Sequence, residues 1–458
     1  MSVLEARGRG ALAPSSAIPI AYFAFAQACL LAALAALAVT PGLPGAFFYH
    51  PKMIAIVHLV TLGWITGSIL GSFHVVAPLA LGVPMPASWR DWAAFASFAI
   101  GTVGMVAHFW LGTYDGMAWS AGLVLLAIAH LAWRATLGLG GAPVKGAVAL
   151  HIRLAFFNIL AAGVLGIIIG LDRTRGVFGL SPVSATYAHA HLAALGWAVM
   201  MVMGLSYRLL PMLLPAAMPS GPALYASAVL LECGLVLLVT SVLAGWPLVP
   251  VAGVWMLCGL AAFVVQVLRT AARRLPRPPA LPRRDWSVWQ VHVAFLWLVI
   301  ACVLGYGLSR EDAAQGTAAA WVYGTAGLVG FLAQIITGMH GRLVPYYAWY
   351  RAMAARGGGR PARGANALPS PRFAAPVFLT WLAGVPLLAW GLASAMTPVI
   401  RAAALLLLAG VALHALHLVY MLYQANTPPH ADRAIRGING GGAAPAARDE
   451  PRSHAWGA

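Results

Sequence analysis

The sequence predicts an all-α integral membrane protein, with twelve transmembrane helices in three four-helix pseudo-repeats. Three observations carry that expectation. Of its 458 residues, 61% are hydrophobic and 9% charged, with a mean hydropathy of +0.83, which leaves no room for a soluble domain. Twelve apolar runs are each long enough to cross about 30 Å of hydrocarbon. One pattern of 21 residues recurs three times, with four helices in each interval.

The first run, 18–40, follows a short, weakly charged segment and opens a series of further spans, so it reads as retained and not as a cleaved leader. The others fall at 52–80, 93–112, 117–137, 147–170, 186–214, 223–244, 249–269, 287–308, 319–348, 373–394 and 399–424. Residues 1–428 thus read as a single membrane domain. The stretch "ARGGGRPARGANALPSPR" reads as a mobile loop and 429–458 as a disordered cytoplasmic tail, because Gly, Pro and small polar residues bury too little to order themselves.

The formal charge of +17 is distributed as a topology signal, not as a nucleic-acid surface. Arg269, Arg273, Arg274, Arg277, Arg283 and Arg284 crowd the link after the eighth helix, and Arg351, Arg356, Arg360, Arg363 and Arg372 the link after the tenth. Arg90, Arg134 and Lys145 follow the second and fourth helices, and Arg7 and Arg9 precede the first. By the positive-inside rule these segments and both termini face the cytoplasm of a bacterial inner membrane. Cys29, Cys233, Cys258 and Cys302 are isolated and form no C-x-x-C-H, so any haem must be held by coordination and packing, as haem b is.

The repeat is "HLVTLGWITGSILGSFHVVAP" from His58, "HLAALGWAVMMVMGLSYRLLP" from His191 and "TAGLVGFLAQIITGMHGRLVP" from Thr325. Each copy has Gly at offset five, an aromatic residue at six, Gly at thirteen and Pro at twenty. Four helices per interval make the second, sixth and tenth helices parallel, and set His58 and His191 level near the outer face. The glycines allow helices or a flat cofactor close to the backbone, and the proline marks a kink or exit.

Two residues before His191 stands His189. Successive helical residues turn about 100°, so these two rings point roughly 200° apart and can serve two sites, the alternative being that one or both are satisfied by cross-helix hydrogen bonds. Ionisable groups inside a bilayer are expensive and default to functional roles. His74 lies too far along its helix from His58 to share a site with it. His414 and His417, three apart, are either a metal pair or, by preference, interhelical hydrogen-bonding groups. Glu232 is an isolated candidate on a proton path. Tyr207, Arg208 and Arg342 are expected to anchor the cytoplasmic interface by snorkelling.

The "HAHLAALGW...MGLSYRLLP" pattern resembles the tenth helix of the haem-copper oxidase subunit I superfamily, closest to cbb-type oxygen reductases and nitric oxide reductases. In that family such a His-x-His gives one ligand to the active-site haem and one to the low-spin haem, whose other ligand comes from the second helix. The resemblance implies a haem-copper oxidase subunit I-like fold, haem b, copper or non-haem iron as a second metal, a cytochrome c or quinol electron donor, a small-gas substrate and a lipid setting. This chain departs from the pattern. Its His-x-His is in the sixth helix, Tyr323 and Thr325 occupy the ligand positions of the tenth, and the seventh lacks the adjacent histidine pair of the copper site.

A reduced site remains, with His58 and His191 as the axial ligands of a haem b and His189 facing another compartment. His50 and His108 lie near the same level, each a further ligand or else a capping or bridging group. Arg173 and Arg175 either pair with haem propionates or contact water and lipid phosphate. Respiratory electron transfer to oxygen or nitric oxide leads the functions. The alternatives are a noncatalytic haem or metal protein for sensing or assembly, a transporter without haem, and a more distant resemblance to the haem- and copper-containing membrane proteins of bacterial nitric oxide stress.

Overall fold

The computed structural model describes residues 17–46, 49–144, 146–276, 285–310 and 317–427. Arg7, Arg9, Lys145, Arg277, Arg283, Arg284 and the tail from 429 lie outside the described residues. The chain is a multi-spanning integral membrane protein, with twelve helices long and apolar enough to cross a bilayer: α1 Ile18–Val39, α2 Pro51–Leu81, α3 Trp89–Leu111, α4 Met117–Gly141, α5 Ala147–Arg175, α6 Pro182–Pro211, α7 Ala223–Ala244, α8 Val249–Ala272, α9 Trp286–Leu308, α10 Thr317–Ala355, α11 Pro371–Ala393 and α12 Thr397–Asn426. Among the described residues there is no sheet, only an isolated bridge between Ala216 and Arg274. The largest departure from the expected bounds is at α10, which continues past residue 348 through Trp349, Tyr350 and Arg351. A helix does not stop where its apolar run stops, because its backbone bonds are internal.

The helices follow one packing rule three times. α1, α5 and α9 lie against α2, α6 and α10; α3, α7 and α11 follow on the other side and pair with α4, α8 and α12. α4 then meets α5, α8 meets α9 and α12 meets α1, which closes the ring. At its centre α2, α6 and α10 touch one another through stretches of π-helix, Leu59–Thr66, Leu192–Val199 and Thr325–Ala333. The offset-six aromatics of the three copies, Trp64, Trp197 and Phe331, are buried there, and Trp197 Nε1 donates to Thr66 Oγ1 at 3.2 Å.

The repeated glycines admit neighbouring helices. A Cβ on Gly71 would lie 2.9 Å from Tyr22 of α1, one on Gly204 2.6 Å from His151 of α5, and one on Gly338 3.0 Å from Ser287 and Val291 of α9. The offset-five glycines face the same three helices at Cys29, Asn158 and Trp297. Of the two uses left open by the sequence, close helix approach is therefore the one they serve.

Several polar groups expected at the interface are instead held by protein. Tyr207 is buried, its hydroxyl 2.9 Å from Ser227 Oγ, which also lies 3.1 Å from His151 Nε2. Arg208 Nε donates to Ala80 O at 2.7 Å, and Arg342 pairs with Asp285, the N-cap of α9. The loop expected to be mobile is docked: Arg356 donates to Ala425 O and Asn426 O at the end of α12, Arg363 bonds Gln424, and Leu368 is buried. Arg356 thereby satisfies C-terminal carbonyls that α12 cannot satisfy itself. Outward-facing Ile100, Leu126, Leu296 and Val303 meet the lipid, with exposed Trp89, Trp119 and Trp289 near span ends as in an aromatic belt.

Candidate functional site

Near the end at which α2 and α6 begin, the rings of His58 and His189 face each other with centroids 6.3 Å apart and planes 24° from parallel. The pairing differs from the expected one of His58 with His191. His189 and His191 do point to opposite sides of α6, but the side that meets α2 carries His189. His191 turns toward α10, where its ring lies 6.2 Å from that of Tyr323, 21° from parallel.

Both members of the first pair are oriented by backbone. His58 Nδ1 is 2.9 Å from Ile54 O one turn back on its own helix, and His189 Nδ1 is 2.9 Å from Ala162 O of α5. A carbonyl only accepts, so each Nδ1 carries the proton and each neutral ring presents a lone pair at Nε2. No hydrogen bond reaches either Nε2 among the described residues. Such an outer bond, which fixes tautomer and ring angle, is the usual support of a metal-ligating histidine. A metal–imidazole bond of about 2 Å on each side sets two ring centroids roughly 6 Å apart. The observed separation fits a single metal shared by both.

The surroundings are specific. Gly166 of α5 lets His189 in, since a Cβ there would come within 3.0 Å of its Cε1. Phe109 of α3 stacks on His58 at 5.1 Å, Tyr114 lies 6.2 Å from Phe109, and the Arg173 guanidinium sits 4.5 Å over the Tyr114 ring and 5.5 Å over that of Tyr49. Arg173 thus ends an aromatic row that starts at His58. Arg175, two residues further on and the last of α5, is exposed, as Arg173 is. Neither Phe109 nor Gly166 is marked in the sequence; both belong to outer helices outside the repeated pattern.

The second pair is closed. His191 Nδ1 lies 2.8 Å from Tyr187 O, which places its proton there, and Nε2 accepts from the Tyr323 hydroxyl at 3.1 Å. Tyr323 stands two residues before the third repeat origin, as His189 stands two before the second. The two junctions therefore share one register and nearly one geometry. In the second, the phenol spans the gap with its own oxygen.

The remaining expected ligands do other work. His50 caps α2, its Nδ1 accepting from Lys52 N at 3.2 Å, and His108 Nδ1 holds Thr113 O at 2.7 Å where α3 turns into α4. Of the alternatives left open for them, capping and bridging are what the structure shows. Glu232 accepts from Asn158 Nδ2 at 2.7 Å, and the same amide donates to Gly196 O in the π-helical stretch of α6 at 3.3 Å. His417 Nε2 accepts from Ser370 N at 3.0 Å, the interhelical bond expected of it. No protein-family model matches the chain, and no curated protein matches it in sequence.

Proposed function

We propose that the chain is a membrane electron-transfer protein whose haem b is held by His58 and His189, on a twelve-helix scaffold of three four-helix units resembling subunit I of haem-copper oxidases. The observation that carries this reading is the pair of parallel imidazoles, each pinned through Nδ1, at the separation of two ligands on one metal. In the resembled family the low-spin ligands come from the second and tenth helices. Here they come from the second and sixth. In a threefold bundle both are neighbouring central helices, so the site is the same junction moved by one unit.

When bound, the haem supplies one-electron exchange. His58 and His189 would hold the haem through their Nε2 atoms, one from each side, which suits electron carriage better than reduction of oxygen or nitric oxide. Ile54 O and Ala162 O fix the two rings, Phe109 stacks on His58, and Arg173, at the end of the same aromatic row, would pair with the propionates by charge-assisted hydrogen bonds, with Arg175 beside it. The arginine-rich loops face the cytoplasm of a bacterial inner membrane under this reading, which sets the site toward the outer leaflet and an electron partner on that side.

The test is a spectrum of detergent-purified protein with a pyridine haemochrome assay. About one haem b per chain and a sharp reduced α band, unchanged by carbon monoxide, are expected of a six-coordinate site. Protein free of haem after expression with ample haem supply would end the proposal, and a carbon monoxide adduct would end the bis-histidine assignment.

A further inference from the structure

A second imidazole pair lies away from the first, between α10 and α12. His340 and His414 are almost wholly buried, at 1% and 3% exposure. Their ring centroids are 5.8 Å apart and their planes 4° from parallel. Trp64 stands perpendicular to both, 5.4 Å from His340 and 6.5 Å from His414, and Phe23 covers His340 at 4.7 Å.

What distinguishes these rings is their hydrogen bonding. The other described histidines each use a ring nitrogen on protein: His74 on Leu70 O, His151 on Ala147 O, His292 on Val288 O, His130 on Asp91, and the remainder as given above. His340 has both nitrogens buried without a partner, and His414 has its Nε2 so, as His74 has, but His340 has no carbonyl bond among the described residues. No hydrogen bond joins the two rings. Buried polar groups are nearly always satisfied, because a lost water bond goes uncompensated in a dry interior. Two such rings, with parallel planes on different helices and nitrogens left unpartnered, point to a ligand that takes in-plane lone pairs.

We infer that His340 and His414 bind one copper(I) ion. Metal–nitrogen bonds of about 2 Å place the two centroids roughly 6 Å apart, close to what is seen. Imidazole suits copper among the common metals. No carboxylate or thiolate joins the two histidines in a larger metal-binding group among the described residues, so the ion's charge stays uncompensated. Desolvation cost grows with the square of charge, which favours a monovalent ion over zinc or copper(II). Copper(I) is also stable with two nitrogen donors, whereas divalent ions seek four or more. A crevice between α9, α10, α11 and α12, lined by Ser287, Gln290, Thr337, Val377 and His417, reaches His414. Binding consumes two neutral lone pairs and releases no proton.

The site is independent of the haem reading, and its test uses the metal alone. Full-length protein, stripped with a chelator, is titrated anaerobically with copper(I) against a chromophoric competitor. One tight copper(I) per chain is expected, weakened at least tenfold in His340→Ala and His414→Ala and unaltered in His292→Ala, with size-exclusion elution reporting the fold of each variant. X-ray absorption of the copper-loaded wild type gives a reading that needs no variant, with two nitrogen neighbours expected. No tight copper(I) in the wild type, tight copper in both His340→Ala and His414→Ala, or a sulfur-rich or four-coordinate site would overturn the inference, as would a preference for zinc.

Discussion

At the residue scale, one position separates the His58–His189 junction, whose Nε2 atoms have no hydrogen-bond partner among the described residues, from the His191–Tyr323 junction, which a phenol closes. His189 and Tyr323 hold equivalent places in successive units, and each meets the origin histidine of the preceding unit at nearly the same separation and angle. Tyr323→His should remove the hydroxyl that closes the His191 junction and leave two imidazoles in the geometry of the first pair. The expected outcome is a second equivalent of haem or metal per chain, counted by haemochrome and elemental analysis; an unchanged count would show that the junction lacks room for it. Tyr323→Phe should leave the first haem untouched. The 24° angle between His58 and His189 also has a spectroscopic counterpart, since nearly parallel axial imidazoles give a rhombic ferric low-spin signal in electron paramagnetic resonance. A strongly axial signal would mean crossed rings and contradict the geometry. The residue types and depth were legible in the sequence, but the pairing was not. A turn of about 200° between His189 and His191 says that they face apart, and only the rotation of α6 in the bundle decides which one faces α2.

At the element scale, the glycines of the repeat were legible as places of close approach, while the π-helical stretches were not. Nothing in "LVTLGWIT" or "LAALGWAV" announces a wider helix; that register is stabilised by partners from other spans, such as Asn158 on Gly196 O. Two substitutions weigh packing against propensity. Gly204→Ala gains up to about 1 kcal/mol of helix propensity, but its Cβ would stand 2.6 Å from His151 Cβ, which is fixed to the α5 backbone. Overpacking of this kind costs about 1–3 kcal/mol, so thermal unfolding in detergent should move to lower temperature. Gly122→Ala, with nothing within 4 Å of its Cβ, should keep the propensity gain and move the transition up or leave it in place. Asp91 is the matching electrostatic case. Its carboxylate accepts from Ser88 N and Oγ, meets His130 at 3.0 Å and pairs with Arg134, tying the start of α3 to α4. Asp91→Ala leaves a partly exposed guanidinium with Pro86 O as its remaining partner and should cost about 1–3 kcal/mol, read as a lower unfolding temperature in detergent.

At the scale of the whole molecule, twelve spans and their order follow from hydropathy alone, and the closed ring follows from the same four-helix rule applied three times. The arginines of the α8 and α10 links and the docking of Arg356 and Arg363 on α12 set one face apart from the other. Alkaline phosphatase fused after residue 358 should be inactive, and fused between α3 and α4 active; the reverse would place the histidine pair toward the cytoplasm. What hydropathy could not supply is which helices of the ring share a ligand, because that depends on contacts between units. The central assignment rests on that sharing, and side-by-side reduced-minus-oxidised spectra of His58→Ala, His189→Ala and His191→Ala, normalised to folded protein, test it most directly. Loss of the b-type α band in the first two with at least most of it kept in the third is the expected result. Loss in His58→Ala and His191→Ala with the band kept in His189→Ala would contradict the pairing.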